Sequence, residues 1–118
     1  MVNAEQLAQK HCLPCEGSGK PMEPEKAQDY LKGLPNWKAT PDGKAIYREL
    51  VLKNFLAAVR FINEVAKLAE AENHHPDIHL TCYRKLRIEL STHAIGGLSE
   101  NDFIEAAKID QLPVELKT

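Results

Sequence analysis

Glu70, His74, His75, Pro76, Tyr83, His93 and Asp102 are the residues of this chain whose types and spacing suit chemistry. Histidine is the side chain whose unperturbed pKa lies nearest neutrality, so three of them beside an aromatic ring and two acids make a kit for proton transfer at cellular pH. Four of the five histidines fall between positions 74 and 93, and that concentration is the strongest clue to function.

Ordered elements must position these side chains. Pro24 suits a first helical position, Ala27, Tyr30 and Leu31 form a short apolar stripe, and Gly33 can close that helix in a left-handed conformation. Residues 37–39 and 44–52 flank Thr40-Pro41-Asp42-Gly43, a turn signal that predicts a hairpin. Asn54 can cap a long helix on which Phe55, Val59, Ile62, Ala66 and Ala69 recur at steps of three and four. Pro76 disfavours helical geometry for the residue before it, so this helix stops at Asn73 or His74 and the histidines fall at a helix-to-strand junction. Ile78, Leu80 and Cys82 then alternate with His79, Thr81 and Tyr83, and Leu86, Ile88 and Leu90 with Arg87, Glu89 and Ser91, which predicts two half-buried strands. Ser99 followed by Asp102, with Leu98 and Phe103 as a staple, opens a last helix that Pro113 terminates. Segregated hairpins with helices between them predict an α+β, two-layer domain: a four-stranded antiparallel sheet with about three helices packed on one face.

A turn at Arg84 would set Cys82 opposite Leu86, Leu80 opposite Ile88 and Ile78 opposite Leu90. Extended, that register carries His75 opposite His93 and makes the two neighbours. His74 borders the same pocket. His79 points outward on its strand and reads as a surface residue. Asp102 is also the third residue after Ser99, where it would complete a capping box whatever else it does.

The 118 residues suit one domain, expected over residues 23–118, with residues 1–22 as a disordered or loosely attached N-terminal arm. A net charge of -2 and a pI near 6.2 leave no broad basic face for phosphate backbones, so direct nucleic-acid binding is disfavoured. No stretch approaches a membrane span and the first residues do not read as a signal peptide, so the cytoplasm is the expected compartment. Cys12, Cys15 and Cys82 are too few for a disulfide framework, and the Cys12-x-x-Cys15 pair is a weak zinc or redox signal without a second pair nearby.

Glu70, three residues, His74-His75-Pro76, six residues, Tyr83, nine residues, His93, eight residues, Asp102: this pattern resembles the pterin-4a-carbinolamine dehydratase signature. The resemblance runs from Trp37 through Phe55 and Val65-Ala66 to Leu112, and includes Thr92-His93 and Gly97-Leu98-Ser99. It implies a four-stranded antiparallel sheet with helices on one side, assembled as a homo-dimer or homo-tetramer. It also implies dehydration of 4a-hydroxytetrahydrobiopterin, the product an aromatic amino acid hydroxylase leaves, to quinonoid dihydropterin and water. No cofactor or metal is implied, since the pterin is the substrate. By the same resemblance His74, His75 and His93 are the catalytic histidines, with His74 and His93 transferring protons and His75 orienting the pterin. Glu70 and Asp102 match flanking acids that orient or charge-stabilise an imidazole, although Glu70 also suits a solvated helix position, and Pro76 and Tyr83 complete the supporting set, Tyr83 belonging more to the fold than to the chemistry. Two other readings stand beside this one. The same fold could serve as a partner-binding module, since animal members resemble a dimerisation cofactor of a homeodomain transcription factor. Three imidazoles could instead hold a catalytic zinc, although adjacent histidines on a kinked loop point apart.

Overall fold

The computed structural model describes residues 3–12 and 20–117. Among the described residues, four helices and four strands follow one another as α1 (Ala4–Ala8), α2 (Pro24–Lys32), β1 (Lys38–Ala39), β2 (Ile46–Val51), α3 (Phe55–Glu72), β3 (Asp77–Thr81), β4 (Lys85–Leu90) and α4 (Glu100–Asp110), with a 3₁₀ turn at His93–Ile95. The strands form one antiparallel sheet in the order β1-β2-β4-β3, so the two hairpins join edge to edge through β2 and β4. No described helix is long and apolar enough to cross a membrane.

Strand alternation separates the two faces of the sheet. Ile46, Leu50, Leu86, Ile88 and Leu90 are buried on the helix side, where they share one core with Phe61, Val65, Phe103 and Ile104. Tyr47, Glu49, His79 and Arg87 lie on the other face, where the Arg87 guanidinium sits 3.9 Å from the Tyr47 ring centroid. Arg48 is the polar exception on the helix side. Its guanidinium and the Trp37 indole N–H both donate to Asp110 Oδ1, at 2.8 and 3.0 Å, tying β2 and the segment before β1 to the last turn of α4.

Several local expectations are corrected. Gly33 ends α2 in right-handed geometry at φ -84°, because the helix closes on 3₁₀-type bonds and needs no left-handed residue. The buried face of α3 is Ala57, Ala58, Phe61, Val65 and Ala69, whereas Phe55 is exposed and Ala66 faces out. Alanines make this seam because they let the helix approach closely, which a count of large apolar residues overlooks. In the second hairpin Ile78 pairs with Ile88 and Leu80 with Leu86, two residues away from the expected register. The turn is made by Cys82 and Tyr83, both left-handed at φ 46° and 52°, so Cys82 is an exposed turn residue and not a strand residue. A slip of two preserves every side chain's face, which is why alternation could not detect it.

Within the N-terminal arm, residues 3–12 dock on the domain. Leu7 is fully buried in the core cluster, and Lys10 pairs with Glu100 at the start of α4. Cys15, and with it the Cys12-x-x-Cys15 reading, lies outside the described residues. Cys12 and Cys82 are free thiols.

Candidate active site

Three chain reversals build the site at one end of the sheet. The first is the end of α3. Asn73 adopts the left-handed conformation at φ 52°, and the His74 N–H donates to the Ala69 carbonyl at 3.2 Å, a Schellman closure with asparagine where glycine is usual. Pro76 follows and cannot continue a helix, so His74 and His75 occupy a fixed corner before β3. The second follows β4, where Thr92 and Gly97 bridge each other across the 3₁₀ turn that carries His93. Pro21 packs so closely on Gly97 that an added Cβ would meet it at 2.9 Å, which requires glycine there. The third is the N-terminus of α4, closed by a capping box between Ser99 and Asp102.

Asp102 joins all three. It is fully buried, and its Oδ2 accepts from the Ser99 N–H at 3.0 Å and the Thr92 hydroxyl at 2.9 Å. Its Oδ1 lies 2.7 Å from His74 Nε2. A carboxylate only accepts, so Nε2 carries the proton and Nδ1 is the nitrogen left for a substrate. Ser99 Oγ, 2.7 Å from Thr92 Oγ1, extends the network. Burial opposes charging His74, but the hydrogen bond and charge of Asp102, aided by the charge of Glu105, outweigh it and raise the imidazole above its ordinary value. The capping role and the site role expected as alternatives for Asp102 are filled by its two oxygens together.

A cavity of about 410 Å³ opens over this corner, lined by His74, His75, His93, Thr92, Asn101 and Cys12, among others. That volume suits a small heterocycle. His75 and His93 thus line one cavity, but through loops outside the strand ladder and not as facing strand residues, since the ladder ends at the Asp77–Glu89 pair. A larger open groove of about 550 Å³ runs between α3 and the C-terminal segment, where Arg60, Glu64, Lys67 and Glu115 offer charge but no histidine.

The remaining expected residues separate by distance from this cavity. His75 Nε2 lies 2.5 Å from Glu70 Oε2, and both side chains are largely exposed, on the solvent side of the corner. Pro76 acts through the backbone. Tyr83 is corrected: it occupies the β3–β4 turn, 56 % exposed, at the sheet end opposite the histidines, because the turn falls on residues 82–84. His79 is exposed on the outer face. Among the described residues no group of three or more side chains is arranged to hold a metal ion.

The structure adds residues that sequence reasoning missed. Glu72 accepts from the Cys12 N–H at 2.7 Å, sits 3.1 Å from His11 Nδ1 and lies 3.8 Å from Lys108 Nζ, clasping the N-terminal segment against the cavity. Burial works against the Glu72 charge, but these donors hold its carboxyl below the usual range. Burial, with the charges of Glu105 and Glu72, pushes the Cys12 thiol up to about 12, so it stays protonated. Thr92 stood beside His93 in the resemblance without being singled out. Glu105 had its own signal, one acid inside the run Phe103-Ile104-Glu105-Ala106-Ala107.

Residues 20–112 match the family described as pterin 4 alpha carbinolamine dehydratase. A relative from Halorhodospira halophila is 45 % identical over 106 residues, covering 90 % of this chain and 96 % of its own. The mitochondrial pterin-4-alpha-carbinolamine dehydratase 2 of Arabidopsis thaliana is 43 % identical over 112 residues, 92 % of this chain and 60 % of its own. The crystal structure of a protein titled transcriptional coactivator/pterin dehydratase from Brucella melitensis superposes with a TM-score of 0.72 at 27 % identity, covering 77 % of this chain and 96 % of that one.

Proposed function

Because the chain belongs to the pterin 4 alpha carbinolamine dehydratase family, we propose that it is a hydro-lyase that dehydrates 4a-hydroxytetrahydropterin, with His74, His75 and His93 as its working groups. The carrying observation is the His74–Asp102 pair set in the wall of a cavity that also holds the other two histidines.

Dehydration requires that the C4a–O bond break with a proton delivered to the departing hydroxyl, while the N5–H bond gives up its proton and its electrons form the C4a=N5 double bond. Water and quinonoid dihydropterin result, with no net change of protons. His74, kept protonated by Asp102, is suited to deliver the proton through Nδ1. His93, on the facing loop, takes the N5 proton, and His75, braced by Glu70, orients the ring. The substrate arises wherever an aromatic amino acid hydroxylase spends a tetrahydropterin, which links the two enzymes functionally.

Assembly into a homo-dimer or homo-tetramer belongs to the same proposal. It is supported by the β3 edge strand and by Val51, Phe55, Leu56, Tyr83 and Leu116, the exposed large apolar residues among those described, which β2, the start of α3, the β3–β4 turn and the C-terminal segment gather at the end away from the histidines.

The deciding experiment follows the decay of freshly generated 4a-hydroxytetrahydropterin with wild type, His74→Ala and His93→Ala. Wild type is expected to accelerate the decay, and each substitution to cut that acceleration by roughly a hundredfold. Equal decay with and without wild-type protein would defeat the reading.

A further inference from the structure

Among the described residues, Glu105 is the one fully buried acid that packing and capping leave unexplained. Neither carboxyl oxygen has a hydrogen-bond partner among the described residues. An unpaired buried carboxylate costs several kcal/mol, and a leucine at this place would cost nothing of the kind. Its surroundings are those of the site. Asp102 lies three residues back on the same face of α4. The end of α3 contributes His74, His75 and Glu72, and the N-terminal segment contributes Cys12. Lys108, one turn further along α4, is engaged with Glu72. Burial pushes the Glu105 carboxyl up to about 7; His74 pulls it down, Asp102 and Glu72 add to the rise, and His75 opposes it.

We propose that Glu105 is a positioning residue for proton transfer, a second carboxyl one helical turn from Asp102 that sets how firmly His74 holds its proton; this rests on the dehydratase reading above. Asp102 supplies the direct bond. Glu105 supplies a charge without a bond, present or absent according to pH. When Glu105 ionises it favours the imidazolium of His74, so rising pH strengthens His74's hold on its proton through the range where that hold would otherwise fail. The two groups titrate as a coupled pair.

The test compares full-length wild type with Glu105→Gln, which keeps shape and removes charge, and Glu105→Leu, which leaves no buried polar atom. Titration by NMR follows the His74 ring, identified by the signal lost in His74→Gln. In both variants His74 is expected to lose its proton at lower pH, with about a threefold or larger loss of proton affinity. The limb of the kcat pH profile that His74 governs should move in the same direction by the same amount, with little change in KM. The NMR comparison needs no substrate, so an inactive wild type would defeat the dehydratase reading while the titration still decides this one. An unmoved His74 titration in variants with native circular dichroism overturns the proposal, as does a shift confined to His75 or His93. Should Glu105→Gln misfold, Glu105→Leu carries the same comparison.

Discussion

Asp102 couples the stability of a helix to the protonation of a histidine. One oxygen of its buried carboxylate serves the capping box and the Thr92 hydroxyl, the other His74. Asp102→Asn is therefore expected to cost about 3 kcal/mol in urea denaturation and roughly a hundredfold in dehydration rate. The His74 share of that stability has a definite pH window. A histidine whose folded pKa is raised contributes fully below its unfolded value near 6.5, and the contribution is lost as pH rises through the folded value. The stability gap between wild type and variant should narrow accordingly on the alkaline side. Glu105 behaves in the same sense from a different cause. Its carboxyl is raised from 4.5 to about 7, so it favours the folded state below 4.5 and that benefit disappears as pH climbs to 7. Glu105→Leu should stabilise the protein by about 2 kcal/mol at about pH 8 and by far less at about pH 5. Urea titrations at the two pH values measure it.

At the level of elements, the site depends on how α3 stops. Asn73 holds a left-handed conformation that costs most side chains about 1–2 kcal/mol. Asn73→Gly should be close to neutral, while Asn73→Val should destabilise by about that amount and swing His74 from Asp102, lowering kcat more than KM. Denaturation midpoints and steady-state kinetics separate the two variants. This corner was legible in sequence because Pro76 and Ser99 carry their geometry in local chemistry. The strand faces were legible because alternation fixes them. Register was not, because Cys82 and Tyr83 adopt positive φ without the glycine that would have announced the turn. Tyr83, expected on the strand, sits in the turn for the same reason. The close-packed alanine seam of α3 escaped because it depends on what the rest of the chain lays against the helix.

The whole molecule keeps its chemistry and its exposed apolar surface at opposite ends of one sheet. Leu56→Glu at the apolar end should convert the proposed homo-oligomer to a smaller species, seen by light scattering, without altering the His74 titration. The N-terminal segment belongs to the other end, where it buries Leu7 and brings Cys12 to the cavity wall. Removing residues 1–12 should lower stability by about 2–3 kcal/mol and reduce turnover by opening the cavity, which thermal melts and kinetics would register together. No sequence signal required this docking, because a five-residue helix has too little pattern to show which surface it will cover. Trp37 offers a last consequence. It is the chain's sole tryptophan, 3 % exposed, with its indole N–H bound to Asp110, and it does not line the histidine cavity. Its emission spectrum is thus a built-in optical gauge of the native core, able to report whether any site variant is folded while the pterin reaction is followed at separate wavelengths.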